Sequence, residues 1–274
     1  MIARKILAML PLGLTAATGV HGAEPLVIAH RGASFDAPEN TVAAIELAWK
    51  QGADGIELDF QLTRDGQVVC IHDADTARTA RGKKLTVRLS ARDELRQLDV
   101  GSFMAAAYQG EKIPTLAETL AAVPSGKLIF VEMKSGPEIV EPLVAGLRKS
   151  KLKPEQIILK SFDVATAAAA RQAMPEVRTF WLGDLEIKDK PPQAVKAEDI
   201  CSVVEKIEFA GVSTNGNPRL LSEEMYQKLR HRGIKEIAVW TVNDAATARY
   251  HRDQGVNYIL TDKPGELRRW LAPE

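Results

Sequence analysis

Residues 55–72 read GIELDFQLTRDGQVVCIH, and this stretch decides the fold. Its two β-rich runs, Gly55–Gln61 and Val68–His72, are joined only by LTRDG, in which Asp65-Gly66 is a hairpin signal. A parallel crossover needs a dozen residues or more, so Val68–His72 is expected to return antiparallel beside its neighbour. Working outward, further β-rich runs occupy Leu26–His30, Lys127–Lys134, Ile157–Phe162, Arg178–Leu182, Phe209–Thr214, Ile237–Val242 and Asn257–Thr261. Helical patterns lie between them, among them Thr41–Gln51, Leu116–Ala122, Ile139–Lys149, Val164–Met174, Ser222–Arg232 and Ala245–Asp253. Strands separated by helices of this length form parallel βαβ units. The runs LIFVEM (128–133) and IAVWTV (237–242) are almost continuously apolar, as strands covered on both faces are.

Setting the hairpin strand aside leaves eight strands in about 250 residues, so the expected α/β fold is a TIM (β/α)₈ barrel. A doubly wound open sheet is the alternative. Residues 74–113 break the strand–helix rhythm and read as a lobe inserted after the second-strand hairpin, over one barrel end. No internal repeat or Gly/Ser linker divides the chain, so residues 24–274 are expected to form one domain.

The composition agrees with a globular protein: of 274 residues, 45% are hydrophobic and 26% charged, which excludes disordered and collagen-like chains. The 36 basic and 36 acidic residues balance and no polybasic patch stands out, so nucleic acid is not an expected partner. Two cysteines cannot form a stapling framework. Cys70 lies inside an apolar strand, so it and Cys201 are expected to be separate, half-buried thiols rather than a pair. At the N-terminus, Arg4 and Lys5 precede an uncharged apolar run, Ile6–Val20, and then the small residues Gly22 and Ala23. Residues 1–23 therefore read as a cleavable signal peptide, with an uncleaved N-terminal anchor as the alternative. The run is shorter than the roughly 20 residues of a membrane span, so no stable membrane anchor is expected and the mature chain belongs in the periplasm. Removing Arg4 and Lys5 leaves 34 basic against 36 acidic residues, a net charge near −2.

Polar residues that interrupt the apolar strands carry the chemistry. The first strand ends in His30-Arg31-Gly32, and the second holds Glu57 and Asp59, two apart and so on one face of the pleat. The hairpin strand ends in His72-Asp73, the next in Glu132-Met133-Lys134, and a late strand in Trp240-Thr241-Val242-Asn243. In a barrel the C-terminal strand ends carry the active site. Taken singly, each residue has a structural explanation: a hydrogen-bonded histidine, a solvated carboxylate pair, or an ion pair of Glu132 with Lys134. Together, three facing carboxylates would repel one another unless something cationic neutralises them, and a hard divalent cation with oxygen ligands does so. Three carboxylates and a divalent ion leave −1, and Arg31 with Lys134 brings the site to +1, which matches a phosphodiester anion. His30 and His72 supply a general base and a general acid near neutral pH, completing a site suited to metal-assisted phosphodiester cleavage.

These residues resemble the glycerophosphodiester phosphodiesterase family. The motifs are HRGASFDAPENT at 30–41, DGIELDFQLTRDG at 54–66, IHD at 71–73, VEMK at 131–134, SFD at 161–163, VWTVN at 239–243 and ILTDKP at 259–264. They run in order through nearly all of the chain after residue 23. The resemblance implies a TIM-barrel enzyme that cleaves small glycerophosphodiesters, such as glycerophosphocholine or glycerophosphoethanolamine, to sn-glycerol 3-phosphate and an alcohol. It further implies that Glu57, Asp59 and Glu132 bind one divalent cation, Mg²⁺ or Ca²⁺, and that His30 and His72 are the acid–base pair. Arg31 and Lys134 would hold the phosphate, and Phe162 and Trp240 would wall the glycerol, although barrel packing also accounts for those two rings. Either direct attack by water or first attack by the glycerol 2-hydroxyl suits the motifs. Helix capping accounts for Asn40 and Thr41, Asp73 is expected to orient its neighbours, and the second half of the barrel reads mostly as scaffold. Two alternatives remain at this point: a phospholipase-type barrel phosphodiesterase acting on intact lipids, and a non-catalytic glycerophosphodiester-binding protein. The rather polar insertion disfavours the first, and paired acid–base groups disfavour the second.

Overall fold

The structure, a computed structural model, describes residues 24–187 and 193–272, so the signal peptide read at 1–23 lies outside the described residues. Apolar runs that can be buried on both faces become the strands. They are β1 (Leu26–His30), β2 (Gly55–Leu62), β3 (Val68–Cys70), β4 (Leu128–Met133), β5 (Ile157–Ser161) and β6 (Arg178–Gly183). After a two-residue pair, β7 (Glu186–Ile187) with β8 (Gln193–Ala194), come β9 (Gly211–Asn215), β10 (Glu236–Trp240) and β11 (Tyr258–Thr261). The helices are α1 (Val42–Lys50), α2 (Arg92–Leu95), α3 (Leu116–Ala121), α4 (Val140–Lys149), α5 (Val164–Ala173), α6 (Ala197–Ile207), α7 (Glu223–His231), α8 (Ala245–Asp253) and α9 (Pro264–Leu271).

Eight strands run parallel in the order β1-β2-β4-β5-β6-β9-β10-β11, and β1 closes the ring by pairing with both β2 and β11. That closure is a TIM barrel and excludes the open doubly wound sheet. β3 pairs antiparallel with β2, through Phe60 with Cys70 and Leu62 with Val68, as the Asp65-Gly66 turn implies, and makes a single antiparallel bridge from Val69 to Thr115 on its other edge. The sequence reading passed over α6, α9 and the small β7–β8 pair.

The pleat divides each barrel strand into an outward and an inward row. Inward, Ile28, Phe130, Ile158, Phe180, Ala238, Tyr258 and Leu260 fill the barrel. Phe130 meets Tyr258 edge-on, with ring centroids 5.1 Å apart. At the strand starts Arg178 donates to Glu236 Oε2 (2.8 Å) and to the Tyr258 hydroxyl (2.6 Å), so the charge among these rings is paired. Outward rows pack beneath the helices in two larger clusters. Cys70 belongs to one and Cys201 to the other, and both are free, buried thiols. Residues 74–113 form the expected lobe beside β3, with Ala80, Val87, Leu95, Leu98, Val100 and Ile113 packed on Val69 and Ile71.

One step further along the inward row from Ile28, Phe130, Ile158, Ala238 and Leu260 stand His30, Glu132, Lys160, Trp240 and Asp262. The same alternation that builds the apolar plug thus delivers polar groups to the C-terminal mouth. The first loop there turns sharply at Gly32, whose φ is +79°, and a Cβ on it would lie 2.7 Å from Ala44 of α1. Gly32→Ala should therefore lose stability by about 2–4 kcal/mol, read as a lower urea midpoint. An unchanged midpoint would show that this close approach is not required.

Candidate active site

Strand register assembles the mouth. His30 is level with Glu57 across β1 and β2, Asp59 with Glu132 across β2 and β4, and Glu132 with Lys160 across β4 and β5. Side chains level in parallel strands point to the same side, so three carboxylates converge. Ligand oxygens of Glu57, Asp59 and Glu132 lie within 4.8 Å of one another, and all three residues are buried.

Their charges are met by cations from three directions. Lys160 Nζ is 2.9 Å from Glu57 Oε1 and 3.2 Å from Glu132 Oε2. Lys134 donates to Glu132 Oε1 at 2.8 Å and stands 3.7 Å from Asp59 Oδ1. Arg31 places Nε 3.5 Å from Asp59 Oδ2, and its backbone N–H donates to Glu57 Oε2 at 3.2 Å. Burial alone would raise the Glu57 pKa, but Lys160 and then His30 outweigh it and lower it to about 2. Asp59 moves the other way: burial, then the charges of Glu57 and Glu132, push its pKa up. Lys160 stays protonated, because Glu57 and Glu132 more than offset the cost of burial.

The residues fit a divalent cation. The donors are all carboxylate oxygens, as hard cations require. Glu57 Oε1 is buried, and the polar group that meets it is the Lys160 ammonium at 2.9 Å, a cationic partner of the kind a metal ion would also be. Burial, and then the charges of Glu57 and Glu132, keep the Asp59 pKa raised, so added positive charge would relieve it.

Each histidine is held through Nδ1 by an aspartate. His30 Nδ1 lies 2.7 Å from Asp262 Oδ1, and His72 Nδ1 lies 2.7 Å from Asp73 Oδ1. With the Nδ1 proton given to a carboxylate, Nε2 of the neutral ring carries the lone pair. His30 Nε2 faces Glu57 at 4.0 Å, and His72 Nε2 is 3.2 Å from Lys134 Nζ. Asp262 is itself anchored by Asn243 (2.7 Å) and Ser34 (3.0 Å). Phe162 and Trp240 meet edge-on at 5.8 Å beside Lys134, whose Nζ is 5.8 Å from the Phe162 ring centre. All nine site residues read from the sequence are therefore placed at or beside the same mouth.

Two expectations change. Thr41 alone caps α1, its Oγ1 accepting from Ala44 N–H at 3.2 Å. Asn40, instead of capping, grips Asp59: its Nδ2 donates to Asp59 Oδ2 at 2.8 Å, and its Oδ1 accepts from Asp59 N–H at 3.1 Å. The second half of the barrel is also more than scaffold, since Asp262, anchored by Asn243, holds His30. Lys160 was missed altogether, although a lysine within the apolar run IILKSF is a signal of a paired interior charge. Arg78 was missed too: from the lobe it bridges Glu39 and Asp73, and Glu39 in turn accepts from Arg31 at 3.1 Å.

A closed (β/α)₈ barrel with these groups at its C-terminal mouth defines a TIM-barrel enzyme. Residues 30–266 match the glycerophosphoryl diester phosphodiesterase family. A glycerophosphodiester phosphodiesterase of Bacillus subtilis (strain 168) is 33% identical over 255 residues, covering 87% of this chain and 84% of that one. Another, from Caldanaerobacter subterraneus, is 32% identical over 88% of this chain and 96% of its own. An Oleispira antarctica phosphodiesterase, solved in complex with the product sn-glycerol-3-phosphate, superposes with a TM-score of 0.80 at 26% identity, over 90% of this chain and 97% of that one. This chain belongs to the glycerophosphoryl diester phosphodiesterase family.

Two outcomes follow from the geometry. Asp262→Asn removes the charge that orients His30, so kcat should fall roughly 10²–10⁴-fold with little change in KM and an intact circular dichroism spectrum. Unchanged kcat would remove Asp262 from the site. Arg78 lowers the Asp73 pKa to about 2, and with Arg31 it overcomes burial to lower that of Glu39. A depressed carboxylate contributes stability above its unfolded pKa near 4, and that contribution is lost as pH falls through the folded value. The melting temperature should drop between about pH 5 and pH 2, and Arg78→Met should lose less over that range; equal losses would show that Arg78 is not the cause.

Proposed function

We propose that this protein hydrolyses small glycerophosphodiesters, such as glycerophosphocholine and glycerophosphoethanolamine, to sn-glycerol 3-phosphate and the free alcohol. The observation that carries this reading is the pair of aspartate-held histidines beside a buried carboxylate triad in the barrel mouth. Glu57, Asp59 and Glu132 would hold Mg²⁺ or Ca²⁺, which when bound polarises the phosphoryl oxygens. Lys134 and Arg31 meet the negative charge that builds on those oxygens. One imidazole, neutral, takes a proton through Nε2 from the attacking water or glycerol 2-hydroxyl, while the other, entering the step protonated on Nε2, gives that proton to the departing alcohol oxygen. Where the 2-hydroxyl attacks, water then opens the cyclic phosphate to glycerol 3-phosphate. Both rings are fixed for this by Asp73 and Asp262, and the Phe162–Trp240 edge supplies an apolar wall for the glycerol carbons. A monoanionic diester suits the charge of the site. Arg31, Lys134 and Lys160 balance the three carboxylates, and a divalent ion makes the mouth positive.

The reading of residues 1–23 as a signal peptide supports export of residues 24–274 to the periplasm. Small soluble diesters are favoured over intact lipids by the polar character of the lobe, and among the described residues no helix is long and apolar enough to cross a membrane.

The test is glycerol 3-phosphate release from glycerophosphocholine by metal-stripped residues 24–274, with and without added Mg²⁺ or Ca²⁺. Release should require a cation, and His30→Ala or His72→Ala should each slow it roughly 10²–10⁴-fold in a folded protein. No release with either cation overturns the substrate class. Full release after exhaustive chelation overturns the metal, and near-normal rates in the histidine variants overturn their roles.

A further inference from the structure

Lys160 enters the scheme above only as a charge and takes no part in the chemical step, yet it is 1% exposed and reaches two of the three converging carboxylates. It stands on β5, level with Glu132 across the strand pair and one inward step beyond Ile158. Beneath it lie the apolar barrel residues Phe130, Ile158 and Phe180, so solvent cannot supply a substitute charge from below. From above, Lys134 and Arg31 engage Glu132 and Asp59, and each is partly exposed at the mouth. Among the described residues, Lys160 is the one cation that approaches Glu57 and Glu132 from the enclosed side.

Buried carboxylates that face one another without compensation repel, and a fold that must hold them together needs an internal cation or a bound one. Lys160 makes up the balance, bringing three cationic side chains against three carboxylates. We propose that Lys160 is a built-in counter-ion that holds Glu57 and Glu132 together when no metal is bound, and that it thereby weakens the cluster's hold on a divalent cation. The proposal rests on the reading that Glu57, Asp59 and Glu132 are the metal ligands. Its sign follows from two opposing effects. Lys160 preorganises two ligands, which favours binding, but both glutamates are buried on barrel strands and have little freedom left to lose. It also places a fixed positive charge on both of them in a poorly solvated site, where charge–charge terms are large. Electrostatics is the larger effect, so removing the ammonium should tighten binding of the cation while loosening the metal-free protein.

The experiment is calorimetric titration of Ca²⁺, repeated with Mg²⁺, into chelator-stripped wild type and Lys160→Met, with melting temperatures recorded in the presence and absence of the ion. Lys160→Met should bind at least tenfold more tightly, about 1.4 kcal/mol. Its metal-free form should melt below the wild type, and Ca²⁺ should raise its melting temperature by more than it raises that of the wild type. A purely structural lysine would lower both melting temperatures and leave affinity unchanged or weaker. Equal or weaker binding by Lys160→Met, with the wild type binding normally, overturns the role of Lys160 and leaves the metal reading standing. Absence of binding by both proteins overturns both. If Lys160→Met does not fold, Lys160→Gln, which keeps a donor without the charge, should show the same tightening. Failure of both variants to fold in excess Ca²⁺ also overturns the proposal, because the ion is expected to replace the lost charge.

Discussion

Three carboxylates held within a few ångströms of one another and largely shielded from water are the constraint on which this structure turns. Left alone, Glu57, Asp59 and Glu132 would take up protons or force the strands apart. Much of what surrounds them is compensation. Lys160 meets two of them from inside the barrel, Lys134 and Arg31 approach from the mouth, and Asn40 fixes the Asp59 carboxylate and amide together. The lower half of the barrel bears no such burden, so aromatic and aliphatic side chains fill it. The division between a dry plug and a charged mouth falls between successive inward residues of the same strands.

How far this could be read in advance depended on how local each interaction is. Glu57 and Asp59 were legible because alternation within one strand puts them on one face, and no tertiary information is needed for that. The β2–β3 return was legible because Asp65-Gly66 leaves no room for anything else. His30 and His72 stood out as ionisable residues at the ends of apolar runs. Lys160 was signalled only as a charge inside an apolar run, and its partners Glu57 and Glu132 lie on other strands, so the run could not name them. Asn40 and Thr41 are both good capping residues, and which of them caps is settled by Asp59, which lies 19 residues from Asn40. The role of Asp262 could not be inferred at all, because its partner His30 is 232 residues away.

The inserted lobe does more than cover one end. Through Arg78 it ties Asp73, which holds His72, to Glu39, which holds Arg31. Arg31 and His72 are thereby braced by a single guanidinium on a segment outside the barrel repeat. Variation in the lobe can therefore reach the chemistry without altering a residue of the barrel.

The contact between His30 and Asp262 also carries a consequence for how the protein comes into being. One partner ends the first strand of the barrel and the other follows the last, and only the pairing of β1 with β11 brings them together. A chain that has built half of its strands has its Glu57–Asp59 pair but no oriented first histidine. The orientation of His30 is thus acquired at closure of the ring, late in a topology dominated by long sequence separations. Chains that end before Asp262 lack that hold on His30 by construction.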